Sequence, residues 1–232
     1  TLAGEALARM RDTVRSAARY RQLVTFLAAF FVFGMGVQVI IAFAAILAGD
    51  FGITGTGLVL FVLQITLTAG ATAIATGFFQ DNIGGKATVI IYLIVWMVSA
   101  LALLAISLSA SKPQWMFWVV GNGIGFGIGG IGTASRSLVG KFTPAHKTAE
   151  FFGLWGMVYK LAGVVGVLSF GQVKAWIPEP YGMPASLALL FGFFAVGLVM
   201  TLFVRETAGL RAARRAERET ALSRATDPTD RA

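Results

Sequence analysis

Long apolar runs alternate with short polar breaks along this chain. A bilayer core about 30 Å thick takes about 20 apolar residues in helical form. Six runs are long enough: Leu23–Ala48, Gly57–Phe79, Ala87–Ser109, Trp115–Val139, Phe151–Val173 and Ala185–Val204. The breaks between them carry helix-stopping residues, at Gly49 to Gly57, Asn82-Ile83-Gly84-Gly85, Lys112-Pro113, Pro144, and Pro178 with Pro180 and Pro184. Connections this short favour antiparallel neighbours. The pattern predicts an all-α membrane protein: residues 23–204 form one bundle of six transmembrane helices, with the lipid bilayer as its surroundings.

Composition agrees. Only 13% of the residues are charged, against about 25% in a soluble domain. Nineteen of the thirty Lys, Arg, Asp and Glu residues lie in 1–22 and 205–232, so the middle of the chain has no means of making a solvated surface. The net charge of +8 invites a nucleic-acid reading. The positive charge flanks apolar spans, however, where Lys and Arg set orientation and meet anionic headgroups, and no nucleic-acid partner is expected.

One side of the bundle collects Arg9, Arg11, Arg15, Arg19, Arg21, Lys86, Lys141, Lys147 and seven arginines from Arg205 onward; the other holds Lys112 and Lys174. Both termini are therefore expected in the cytoplasm, with Trp115, Trp118 and Trp176 near the outer interface. The expected location is the cytoplasmic (inner) membrane of a bacterium. With no cysteine, no disulfide is expected. No signal-peptide pattern follows the charged first 22 residues, and a start at Thr1 suits either a piece of a longer polypeptide or a trimmed N-terminus.

The flanks read differently. Ala3, Leu7, Met10, Val14 and Ala17 recur at helical spacing, so residues 1–22 read as a basic amphipathic linker helix in the cytoplasm. Residues 205–232 form a basic tail. It is expected to prolong the last span as helix to about Ser223 and to end in disorder around Asp227, Pro228 and Asp230.

Polar side chains inside a bilayer are costly and tend to face protein or a wet cavity. The first span carries Gln38, the second Gln64, the fourth Asn122 and Arg136, and the fifth Tyr159 and Lys160, whereas the third and sixth hold only Ser, Thr and Tyr92 and read as peripheral. At about 1.5 Å per residue, Lys160 lies roughly 14 Å into its span, and Gln38, Gln64 and Asn122 lie roughly 10 Å from the outer surface. Either these residues line a substrate pathway, in which cationic Lys160 suits an anionic group, or the neutral ones tie helices together at about 0.6 kcal/mol per contact.

Arg136, roughly 32 Å along its span, falls at the cytoplasmic interface, positioned to snorkel or to pair with Glu150 or Asp81. No acid stands mid-span, so no proton-coupling carboxylate is evident, and His146 falls in a loop. Ser135 and Ser137 have no intramembrane base to activate them, which argues against an enzyme. The residues point to no catalytic group, metal site or cofactor.

The fourth span is rich in glycine from Gly121 to Gly132. Its formal G-x-G-x-x-G follows no strand and is not a dinucleotide site. Gly121, Gly125 and Gly129 share one face, which suits close helix packing; a bending hinge is the other reading.

The loop from Gly77 to Lys86 reads G-x-x-x-D-x-x-G-x-K, with Gly77, Asp81, Gly84 and Lys86 at its fixed positions, between the second and third helices. It resembles the signature loop of the major facilitator superfamily. Gly129-Gly130-Ile131-Gly132-Thr133-Ala134-Ser135-Arg136-Ser137, Ala149-Glu150-Phe151-Phe152-Gly153-Leu154-Trp155 with Lys160, and Gly36-Val37-Gln38-Val39-Ile40 resemble the C-terminal half of its vacuole-effluxer-like (Atg22-like) branch.

The resemblance implies a twelve-helix transporter of which this chain is the second half. That branch includes a vacuolar amino-acid exporter. The implied function is secondary transport of a small polar or anionic solute, such as an amino acid, by alternating access. Gln38, Gln64, Asn122, Tyr159 and Lys160 would bind substrate; Gly77, Asp81, Gly84, Lys86, Arg136 and Glu150 would serve gating. Implied partners are a small-molecule substrate and a second six-helix half, supplied upstream in the same polypeptide, by a separate chain or by a second copy. The alternative is a non-transporting scaffold or assembly factor with the same bundle.

Overall fold

The computed structural model describes residues 16–50, 52–109 and 113–226. Most of the linker reading (residues 1–15), Lys112, and the tail end around Asp227, Pro228 and Asp230 lie outside the described residues. Six long helices occupy the six apolar runs: α1 (Arg21–Asp50), α2 (Thr56–Ile83), α3 (Gly85–Leu108), α4 (Gln114–Phe142), α5 (Thr148–Trp176) and α6 (Gly182–Leu202). A short 3-10 turn, Ala145–Lys147, leads into α5, and α7 (Glu206–Thr226) follows the bundle. Even the 21-residue α6 is about 31 Å long. Of α1 to α6, all but α4 are long and apolar enough to cross a membrane. α4 has the length, at 29 residues, but its glycines dilute its apolarity.

Helix neighbours follow a repeated plan. α4 packs along α2 and α3, α1 packs along α5 and α6, and α3 meets α6 across a central seam. Exchanging α1, α2 and α3 with α4, α5 and α6 leaves this pattern unchanged. Three helices reverse the chain direction, so the bundle is two three-helix units of inverted topology, a plan that recurs in secondary transporters.

The packing itself repeats in the same way. Gly127 and Gly130 of α4 form a notch filled by Trp96 and Tyr92 of α3; Gly36 of α1 is filled by Phe194 of α6. Trp96 and Phe194 then stack on each other at 5.0 Å between ring centroids, and both are fully buried. Backbones come equally close in the other pair. A methyl group at Gly129 would overlap the Ala69 carbonyl of α2, and one at Gly166 of α5 would lie 2.6 Å from the Met35 carbonyl of α1. Gly121, Gly125 and Gly129 all face α2, while Gly123, Gly127 and Gly130 face α3. The glycine-rich run is thus a two-sided packing surface.

Burial is uneven. In α1 and α3, 44% of the membrane-length window is buried, but only 17% in α2 and in the segment containing α5. α2 exposes Val59, Leu60, Leu67, Ile74 and Phe78. α3 and α6, which the sequence marks as peripheral, form the central seam and expose only their outer faces, at Ile94, Val98, Val196 and Val199.

The tail departs from expectation. Helix does not run on from α6; the chain breaks at Phe203–Arg205 and a separate helix begins at Glu206. Gln22 of α1 accepts a hydrogen bond from the Arg205 amide at 2.7 Å, which holds the break. Past it, Gly209 lies directly beneath the Phe142 ring at the end of α4.

The notches predict a sharp contrast. Gly129→Ala should lower the thermal stability of the purified chain by about 1–3 kcal/mol, because rigid backbone opposes the new methyl. Gly70→Ala, on the neighbouring helix with open space around it, should be neutral or gain up to about 1 kcal/mol. Equal melting shifts for the two in detergent would contradict the packing role.

Candidate functional site

Two amide-bearing seams tie the repeated helix pairs together. Gln38 of α1 donates to the Tyr159 carbonyl of α5 at 3.4 Å and fills the space over Gly163. Gln64 of α2 donates to the Trp118 carbonyl of α4 at 3.1 Å. Asn122 donates to that same carbonyl at 3.3 Å and accepts from the Thr68 hydroxyl at 3.1 Å. All three amides are half-buried. Such bonds are individually modest in a membrane, about 0.6 kcal/mol, but each crosses between helices or extends a contact that does.

Between α1, α4 and α5 lies a cavity of about 140 Å³. Phe30, Phe33, Gly34 and Val37 line it from α1, Ile128, Ile131, Gly132 and Arg136 from α4, and Trp155 and Tyr159 from α5. It exists because α1 and α4 each pack mainly on other helices and barely touch, and because Gly132 projects nothing into the gap.

Its aromatic wall is ordered. Trp155 and Tyr159 are nearly parallel, with a 4° interplanar angle, and Phe30 lies 5.4 Å from one ring and 5.7 Å from the other. Arg136 places its guanidinium 5.5 Å from the Trp155 centroid, a cation–π contact. Among the described residues it is the only charged group lining the cavity. The Trp155 indole N–H is buried without a partner among the described residues. An anionic group at the mouth and an apolar group inside would satisfy this arrangement.

A third constellation gathers at the basic end. Gly84 closes α2 with φ +96°, a left-handed conformation that favours glycine. The chain then enters α3 at once, and its first amides need acceptors. Glu206 supplies both: its carboxylate accepts from the Gly85 amide at 3.0 Å and from the Lys86 amide at 2.9 Å. Lys141 of α4 lies 3.6 Å from Glu206 and 3.9 Å from Asp81. The Lys86 ammonium donates to the Leu202 carbonyl at the end of α6 at 2.7 Å. Five helices, α2, α3, α4, α6 and α7, are thus joined through Glu206 and its neighbours.

The structure distributes the sequence-derived candidates over these places. Gln64 and Asn122 meet over one carbonyl, Gln38 meets the backbone of Tyr159, and Tyr159 meets Arg136 at the cavity. Lys160 stands apart, exposed on the face of α5 next to the cavity wall. Arg136 pairs with neither Asp81 nor Glu150; those acids are taken by Lys141 and Lys147, the latter at 3.6 Å. Asp81 does not cap α3, because Glu206 does. Gly77 faces open space. Sequence reasoning missed Phe30, Phe33 and Glu206. The helical spacing of Trp155 and Tyr159 signals an aromatic stripe, but nothing local marks Glu206, which acts across 120 residues.

Comparison with known proteins fits this geometry. The family profile described as "Vacuole effluxer Atg22 like" matches residues 1–214. A curated relative, an uncharacterized MFS-type transporter of Bacillus subtilis (strain 168), is 25% identical over 198 residues, covering 85% of this chain and 44% of the relative. The chain therefore spans less than half the length of the curated relative it matches.

The Glu206 cluster yields a graded expectation. Glu206→Ala removes two amide acceptors and the Lys141 partner, and should lower stability by about 1–2 kcal/mol. Asp81→Ala removes one long, solvated contact and should cost under about 1 kcal/mol. Thermal melting of the two variants side by side checks the order.

Proposed function

The chain belongs to the Atg22-like vacuole effluxer family, and from that premise we propose that it is one half of a secondary active transporter moving a small polar or anionic solute by alternating access. α1 to α6 all cross the membrane, α4 included, with both termini in the cytoplasm of a bacterium. The second six-helix half covers the exposed faces of α2 and α5, which are the least buried helices. Two such halves rocking about a shared site expose it to each side in turn.

The cavity between α1, α4 and α5 is the observation that carries this reading. Arg136 receives a carboxylate through its planar donor fork. The aromatic wall takes an apolar group. A cavity of about 150 Å³ holds one benzene ring, and this one, at about 140 Å³, has similar capacity. The solute is thus a small carboxylate with an apolar part about the size of a single ring, and an apolar amino acid meets that description. Gln38, Gln64 and Asn122 hold the walls in register. Lys160, on the face turned to the second half, supplies a further positive charge to the shared pathway.

Flux in vesicles containing this chain together with its second half tests the proposal, with radiolabelled apolar amino acids and simple aromatic carboxylates as probes. Arg136→Gln should reduce flux roughly 10-fold to 100-fold, the worth of a charge-assisted hydrogen bond, and Trp155→Ala should weaken apparent affinity. Lys160→Met should lower flux; unchanged flux would remove Lys160 from the pathway. A well-folded protein that moves none of the probes favours the scaffold alternative.

A further inference from the structure

We infer that the basic end of the chain binds one anionic phospholipid, its phosphate in an arginine cleft and an acyl chain along the apolar groove beside it. The cleft, about 490 Å³, lies between the segment entering α1 and the face of α7. Arg211 and Arg215 stand one turn apart on α7, over a floor of Ala208, Ala212 and Ala216, and Arg19 faces them from the opposite wall. None of these three arginines makes an ion pair among the described residues. Among the described residues Glu219 is the one acid in the lining, so these side chains carry two net positive charges.

Tyr20 completes it, its ring held edge-on against Phe151 at 5.3 Å. Burial, and then the nearby Glu219 carboxylate, push its phenol above the ordinary value, so it keeps its proton and serves as a donor. Arginine forks and a neutral hydroxyl donor suit phosphate oxygens, and Glu219 remains to accept from a headgroup hydroxyl.

The volume and the adjoining surface distinguish a lipid from a free anion. The cleft is equivalent to many waters at roughly 30 Å³ each, far more than inorganic phosphate occupies. The same segment also borders a second groove of about 460 Å³, lined by Ala17 and by Val24, Leu27, Ala28 and Phe31 of α1, with Val158 of α5 behind them. Its lining is almost wholly apolar. Segment 17–24 thus has a cationic cleft and an apolar groove along its length, the polarity sequence of a phospholipid. Basic pockets at the cytoplasmic ends of transmembrane helices are suited to anionic headgroups. The inference does not rest on the transport reading.

Native mass spectrometry of the full chain in detergent tests it, titrating phosphatidylglycerol and phosphatidylcholine of identical acyl chains. Phosphatidylglycerol should bind at least roughly tenfold tighter, and the double substitution Arg211→Gln with Arg215→Gln should weaken it by roughly 30-fold without changing phosphatidylcholine binding. Ala28→Trp, which fills the groove, should weaken long-chain but not dihexanoyl phosphatidylglycerol. Should the double variant lose its helical circular dichroism, salt titration of the unaltered chain decides instead: phosphatidylglycerol binding must fall with ionic strength. Equal binding of the two lipids, insensitivity to salt or to the arginine substitutions, an inert Ala28→Trp, or displacement of the lipid by inorganic phosphate would each overturn the inference.

Discussion

Everything else in this bundle depends on aromatic rings seated in glycine notches. In lipid, helices gain little by hiding apolar surface from one another, because the surroundings are equally apolar. Dispersion between closely fitted surfaces has to hold them instead, and it falls away steeply with even a small gap. Trp96 and Tyr92 seated in α4, Phe194 seated in α1, and the stack of Trp96 on Phe194 meet that need at the seam where the two three-helix units join. Because the units are inverted copies, one solution serves twice.

That locked seam governs where space is left. With α4 committed to α2 and α3, and α1 to α5 and α6, α1 and α4 do not close on each other. The cavity opens in the remaining gap, next to α5, the helix segment that shares the lowest burial with α2. Position and composition of the cavity therefore come from one cause. Phe30 and Phe33 of α1 and Trp155 and Tyr159 of α5 line it, and Arg136, toward the basic end of α4, rests on Trp155.

What the sequence revealed, and what it withheld, follows the range of each interaction. Span positions depend on local apolarity, and the predicted runs match the helices to within a few residues. Close packing through Gly121, Gly125 and Gly129 was legible because four-residue spacing defines a helix face. The break before α7 was not legible. It is set by Gln22 and by the α3 amides, which lie 120 or more residues away. Asp81 illustrates the same limit: its motif marks the right loop, but the acid that caps α3 comes from beyond the sixth helix. Counting residues along α5 says how far along the helix Lys160 stands, but its exposed facing depends on how α5 rolls against α1, which counting does not supply.

The packing also decides between the two meanings of the glycine-rich helix. A hinge needs room to bend on the side that compresses. In α4, Gly121, Gly125 and Gly129 are pressed against α2, and Gly123, Gly127 and Gly130 against α3, leaving only Gly132 facing open space. Bending there would unseat Trp96 and Tyr92 from their notches, forfeiting the contacts that hold the seam. The glycines thus make α4 the most constrained helix of the bundle. At the basic end, Glu206 ties α3, α4 and the start of α7 into the same body. Motion of this unit is then motion as one piece, and α2 and α5 present the least buried faces of its membrane-length spans. A bundle built this way is poorly suited to bending within itself.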